Sequence, residues 1–79
     1  MTLTILYFAQ FAEERGTAQE RLTGDYADLA ALYNALHAQH HFSLAQNQLR
    51  VARNQMFAEW TDAPQDGDEI AFIPPVSGG

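Results

Sequence analysis

The chain has 79 residues, enough for one small domain near the size at which burial barely offsets chain entropy, and too few for a second. It contains no cysteine, which removes disulfides, thiolate metal sites, iron–sulfur clusters and any cysteine nucleophile or persulfide. Ten acidic residues face four arginines and no lysine, a formal charge of −6 at pH 7; that balance argues against nucleic acid, which binds through cations that neutralise phosphate, and leaves a basic protein partner or simple solubility as its meaning.

In chain order, Thr2 to Phe8 alternates around β-branched and aromatic residues and predicts a strand. Because Leu6 and Phe8 make its second face apolar too, that strand is either central or exposed to a partner on one side. The apolar start at Met1 carries no basic leader and no small-residue cleavage site, so it reads as strand and not as signal peptide. No apolar run approaches a membrane span, and a cytoplasmic protein is expected. Gln10 to Gly16 reads as a polar loop turning at Gly16, and Thr17 to Leu22 as a second strand completing a hairpin. Thr23-Gly24-Asp25 breaks the pattern. Asp25 then serves as the expected N-cap of a helix over Tyr26 to Gln39, with Leu29, Leu32, Tyr33 and Leu36 at helical spacing. Gln46 to Gln48 is loop, Leu49 to Arg53 a strand, Asn54-Gln55 a turn, and Met56 to Glu59 a short partner strand. Asp62 to Asp68, with Pro64 and Gly67, is a further turn region. Glu69 to Ile73 is near-continuously apolar, which suits a central strand. The order predicts an α+β domain, a mixed sheet packed on one main helix. With no second helix to cover it, the other sheet face is expected to expose an apolar docking patch drawn from Leu6, Phe8, Phe72, Phe57 or Trp60; the competing expectation is that strand parity puts most of them in the core.

Side-chain chemistry offers little. His37, His40 and His41 have the i, i+3 spacing of half a zinc site, but no acidic or cysteine ligand matches, and histidines at a helix C-terminus are favoured by the dipole alone. Asp66, Asp68 and Glu69 lack the ligand spacing of a calcium loop and read as a solvated turn. Ser43 and Ser77 lack the context of an activated nucleophile. An autonomous enzyme is not expected.

The end of the sequence is where chemistry is expected. Pro74 and Pro75 stiffen the departure from the last strand, and Val76, Ser77, Gly78 and Gly79 form a tip able to enter a slot that admits only backbone. Extended, these four residues span about 13–14 Å. A terminal carboxylate, with a reference pKa of about 3.3–3.7, is ionised at neutral pH and a poor electrophile until activated. A mixed anhydride with AMP would supply the leaving group, after which a sulfur donor could leave a thiocarboxylate. With no cysteine present, that backbone terminus is the only place the chain could hold sulfur reactively.

The segments Leu6-Tyr7-Phe8-Ala9-Gln10, Val51-Ala52-Arg53-Asn54-Gln55 and, above all, Asp66-Gly67-Asp68-Glu69-Ile70-Ala71-Phe72-Ile73-Pro74-Pro75-Val76-Ser77-Gly78-Gly79 resemble the small, sulfur-carrying subunits of molybdopterin synthase. The resemblance spans essentially the whole chain and implies a ubiquitin-like β-grasp over residues 1–79, with 74–79 as the reactive tail. It further implies that an ATP-dependent adenylyltransferase activates Gly79 and that a sulfur-donor enzyme converts the transient acyl-adenylate to a thiocarboxylate. A large synthase subunit, in a heterotetramer with two large subunits, then delivers two sulfurs to cyclic pyranopterin monophosphate to make the dithiolene. No stably bound cofactor or metal is implied. Gly79 is the expected reacting residue, with Gly78, Ser77, Val76, Pro75, Phe72 and Phe8 as partner contacts. Two positions depart from the family pattern. Ala12 stands where a basic residue is common, and Arg53 replaces the small apolar residue usual before the asparagine. A carrier for thiamine or thiolated tRNA, a ubiquitin-like modifier and a plain interaction domain remain as alternatives.

Overall fold

A computed structural model of the chain describes residues 1–75. Strands β1 (Thr2–Tyr7), β2 (Gln19–Thr23), β3 (Arg50–Arg53), β4 (Met56–Ala58) and β5 (Glu69–Ile73), with helices α1 (Gln10–Arg15) and α2 (Leu29–His40) and a 3-10 turn at Gln46–Gln48, follow in chain order. The strands form one sheet in the order β2-β1-β5-β3-β4. β1 and β5 run parallel, with Leu6 opposite Ala71 and Tyr7 opposite Phe72; the other neighbours are antiparallel. The central place expected for the last strand is therefore observed, and its buried Ile70, Ala71 and Phe72 explain its continuous apolar sequence.

Helix α2 covers one face of the sheet. It buries Leu29, Leu32, Tyr33 and Leu36 against Leu3, Ile5 and Tyr7 of β1, Val51 of β3, and Ile70 and Phe72 of β5, all in one core cluster. Tyr33 sits at the middle of an aromatic group, with ring centroids 5.0 Å from Phe72, 6.0 Å from Trp60, 6.2 Å from Phe11 and 6.2 Å from Phe42. Its hydroxyl donates to the Leu44 carbonyl. Burial, and then the Glu14 charge, push its pKa up to about 12. Among the described residues no helix is long and apolar enough to cross a membrane.

Two local expectations need correction. The helix starts at Leu29, not at Tyr26, because the cap is Asp28: its extended backbone places Oδ1 2.8 Å from the Ala31 amide that donates to it. Asp25 instead faces the Met1 ammonium at 3.4 Å. The polar stretch after β1 is also no loop. It forms the six-residue α1, which buries Phe11 and ends at Gly16, whose left-handed φ of 82° lets its amide donate to the Ala12 carbonyl at 2.9 Å. A single buried aromatic in a charged run was too little period to announce a helix, although Gly16 at its end was a legible stop.

Helix α1 is fastened to the segment leaving α2 by one carboxylate. Glu14 Oε1 accepts from the Ser43 amide at 2.9 Å and Oε2 from the Ser43 hydroxyl at 2.7 Å, while Gln10 Nε2 donates to that hydroxyl at 3.0 Å. These bonds hold the Glu14 pKa below the usual carboxylate value, the Ser43 hydroxyl first and its amide next. A depressed folded-state pKa contributes stability above the unfolded-state value, about 4.3 for glutamate, and that contribution vanishes as pH falls through the folded-state value. Ser43→Ala is accordingly expected to cost about 0.5–1.5 kcal/mol near neutral pH. The gap from wild type should close in acid once Glu14 is protonated; urea titrations across that pH range measure both.

Candidate functional site at the root of the tail

The site is built around β5, which needs a fixed beginning and an open end. At the beginning, Asn54 reads both backbone groups of Glu69: its amide donates to the Glu69 carbonyl at 2.8 Å, and the Glu69 amide donates to Asn54 Oδ1 at 2.9 Å. Its Nδ2 donates to Asp68 Oδ1 at 3.0 Å, and the Gln65 amide donates to Asp68 Oδ2 at 2.8 Å. The Asn54-Gln55 turn can point this way because both residues have positive φ, 53° and 71°, the backbone of a two-residue hairpin turn in which asparagine is favoured. Gly67, at φ 87°, sends its amide to the Thr2 carbonyl at 2.8 Å, and the Asp66 carboxylate accepts from the Thr2 amide at 2.7 Å. The acidic turn was expected to be solvated; instead Asp68 is buried, and Asp66 to Glu69 lash β5 to β1 and β3.

Arg53, one of the two departures from the family pattern, belongs to this lashing. Its guanidinium donates to the Ala63 carbonyl at 3.1 Å and lies 3.8 Å from Asp68 Oδ2. Ala12, the other departure, lies in α1 and packs partly buried against the core.

At its other end β5 runs through Ile73 into Pro74 and Pro75. Gly79, Gly78, Ser77 and Val76 lie outside the described residues. Strand parity assigns the remaining candidates. On β5, Ile70 and Phe72 face α2; Ala71 and Ile73 face away. Phe72 is therefore 0% exposed, seated beside Tyr33 and stacked on Trp60 at 6.2 Å with ring planes 6° apart. It is a core residue, so the expectation that it joins an exposed patch fails, and it offers no surface to a partner while the body is folded; Trp60 is partly buried and packs against the same cluster. Parity, present in the sequence, was the competing argument and it wins for Phe72.

The helix-free face holds the rest. Leu6 of β1, Ala71 of β5, Ala52 of β3 and Phe57 of β4 form one row across the sheet by register. Ile73 and Arg50 are paired in the next row toward the tail, and Phe8 follows β1 at the same end. Phe8 is 47% exposed and Phe57 68%, as a docking face requires. The alanines keep the middle of the face shallow. A groove of about 510 Å³ opens between this face and the tail root, walled by Leu49, Arg50, Phe57, Ile73, Pro74 and Pro75 with Asn47 and Gln48 at its edge. Sequence reading singled out Pro75 and Phe57 here but missed Arg50; its pairing opposite Ile73 is set by the β3–β5 register, which no local pattern announces.

His37 and His40 lie in the last turn of α2, and His41 caps it at φ 57°. Their rings are used in packing, His37 5.9 Å from Tyr33 and His40 5.6 Å from Phe42. Among the described residues no group of three or more histidines and carboxylates could hold a metal.

A five-stranded mixed sheet of this order on one principal helix is the β-grasp of ubiquitin-like proteins. Comparison supports the class directly: the crystal structure of SAMP1 from Haloferax volcanii matches with a TM-score of 0.81 at 30% identity over 100% of both chains. Subunit 1 or 2 of molybdopterin-converting factor from Helicobacter pylori, in the complex of the two, matches over 100% of both chains with a TM-score of 0.71 at 21% identity, a likeness of fold. The molybdopterin synthase sulfur carrier subunit of Escherichia coli (strain K12) is 35% identical over 80 residues, covering 98% of this chain and 99% of that one. A family model described as the ThiS family matches residues 5–79, and the chain belongs to that family.

The parity argument is tested by contrast. Phe72→Ala should cost about 3–5 kcal/mol, a large part of the roughly 4–12 kcal/mol available to a domain of this size. Phe8→Ala and Phe57→Ala should stay within about 0.5 kcal/mol of wild type. Urea midpoints of the three variants decide the matter.

Proposed function

We propose that this chain is a sulfur carrier of molybdenum cofactor biosynthesis, the small subunit of a molybdopterin synthase. The observation that carries the reading is end-to-end similarity to a curated carrier subunit, with the family match running through Gly79. In this reading an ATP-dependent adenylyltransferase joins the Gly79 carboxylate to AMP with release of pyrophosphate. A sulfur-donor enzyme then supplies the nucleophile that displaces AMP at the acyl carbon, leaving a thiocarboxylate. Delivered into the large subunit, the sulfur attacks cyclic pyranopterin monophosphate, and water cleaves the acyl link and restores the carboxylate. Two such deliveries complete one dithiolene.

The chain's own contribution is positioning. Pro74 and Pro75 fix φ and narrow the directions in which the tail leaves, so less freedom is lost on threading. Gly78, Ser77 and Val76 fill the slot, and Leu6, Phe8 and Phe57 seat the body on the large subunit. With two large subunits this gives a heterotetramer, working in the cytoplasm. The body supplies no acid, base or bound cofactor.

A second reading keeps the same activation but ends in protein conjugation; the likeness to SAMP1, at 30% identity, favours it over a carrier for thiamine or tRNA. Intact-mass measurement separates them. Protein from its own cells, incubated with extract, ATP and a sulfur source, should gain the mass of one oxygen-to-sulfur exchange, localised to the C-terminal peptide. Higher-mass adducts on other proteins without that exchange would select the modifier. Removing Gly79 should abolish sulfur transfer while the urea midpoint stays unchanged, and Gly78→Val should block transfer by filling the slot. Transfer that persists in the truncated chain would sink the carrier reading.

A further inference from the structure

The groove at the tail root joins an apolar wall, which the carrier reading already uses in part, to a charge that it leaves unassigned. Its wall is apolar at Phe57, Ile73, Pro74 and Pro75, and its mouth carries Arg50. The guanidinium carbon lies 5.2 Å from the centroid of the Phe57 ring, a cation–π distance. The ring is itself 68% exposed, so the pair stands at the surface. Of the four arginines, Arg15 is held by Glu20 at 2.6 Å and Arg53 approaches Asp68 at 3.8 Å. Among the described residues neither Arg21 nor Arg50 forms an ion pair; Arg21 lies on the edge strand β2, and Arg50 is the one at the groove. Glu59 shares an adjoining hollow of about 310 Å³ with it but does not close on it.

This cation sits on a chain of formal charge −6. Its general field draws basic surfaces, so a cation at the one groove through which the tail leaves opposes that field locally. Opposed local charge of this kind fixes register more than it adds raw affinity. The groove is also continuous with the tail: Pro74 and Pro75 are its wall, so a protein that receives the tail must lie against it.

Resting on the carrier reading above, we propose that this groove is a specificity site for the large subunit. It takes a segment in which an apolar side chain enters against Phe57, Ile73 and the prolines while a neighbouring carboxylate meets Arg50. The apolar contact provides the burial. The ion pair sets the angle at which the body sits while the tail is threaded, making Arg50 a positioning residue and not a catalytic one.

Titration calorimetry of the large synthase subunit from the same organism against four forms of the chain, each at low and high salt, tests this. Wild-type affinity should fall with salt. Arg50→Leu keeps the apolar wall, and should weaken binding about three- to tenfold and flatten the salt dependence. Arg50→Glu should weaken it more than about tenfold by placing like charges together. Phe57→Ala should weaken binding by about tenfold with the salt dependence retained. Because Arg50 and Phe57 are exposed, unchanged urea midpoints will show that the variants fold. If Arg50→Glu leaves both affinity and salt dependence at wild-type values while the wild type transfers sulfur in the mass assay, the groove proposal is overturned and the carrier reading stands. A wild type that neither binds the large subunit nor transfers sulfur overturns both.

Discussion

The parallel pairing of the first and last strands is the constraint on which the rest of the molecule depends. Adjacent parallel strands cannot be joined by a tight turn, so everything between Tyr7 and Glu69 must serve as the return path. That path includes α2, which supplies the core, and β3 and β4, which extend the sheet past β5. The pairing puts the end of β1 and the end of β5 at the same edge of the domain, with Tyr7 opposite Phe72. Phe8 and the tail root are neighbours for this reason alone. An exposed aromatic from the beginning of the sequence and the proline pair that follows β5 are brought together by backbone hydrogen bonds, before any side chain acts.

β5 is paired along both edges, with β1 and with β3, and side chains fasten its start further. Asn54 and Asp68 take on the task, with Arg53 and Thr2 assisting. Buried polar groups of this kind are costly unless fully paired, and here each carboxylate oxygen of Asp68 has a partner. Once Glu69 is fixed, alternation does the rest: Ile70 and Phe72 drive into the core under Tyr33, and Ala71 and Ile73 are left for the open face. The bulk of Phe72 thus holds the root rigid from below while Pro74 and Pro75 stiffen it beyond.

The division between what the sequence told and what it withheld follows the range of the interaction involved. Elements with a strong period were legible: the alternation of β1, the spacing of Leu29, Leu32, Tyr33 and Leu36, and the apolar run of β5. Features resting on one residue against a distant one were not. Phe11 defines α1 only because Phe42 and Tyr33 are there to receive it. Asp28 and not Asp25 is the cap because its carboxylate accepts from the Ala31 amide, while Asp25 faces Met1 from 24 residues away. Asp68 looked like a turn residue until Asn54, fourteen residues earlier, supplied its partner. Phe72 misled because its sequence context, apolar and next to the tail, fits a contact residue and a core residue equally; only the register with Tyr7 and Val51 separates the two. The geometry of the tail root, Arg50 included, required the sheet.

On the carrier reading proposed above, the same topology bears on how an activated end would avoid reacting with its own chain. An acyl-adenylate is open to any nearby amine or thiol, and this sequence has no lysine and no cysteine. The Met1 amine faces Asp25 at 3.4 Å. Because β1 and β5 run parallel, Met1 lies at the edge of the sheet opposite the tail root, about 20 Å away by the rise of a six-residue strand. Four residues beyond Pro75 extend only about 13–14 Å, short of that amine even at full stretch. Strand direction and composition therefore act together. The pairing that sets the tail root beside the exposed Phe8 also sets it far from the Met1 amine.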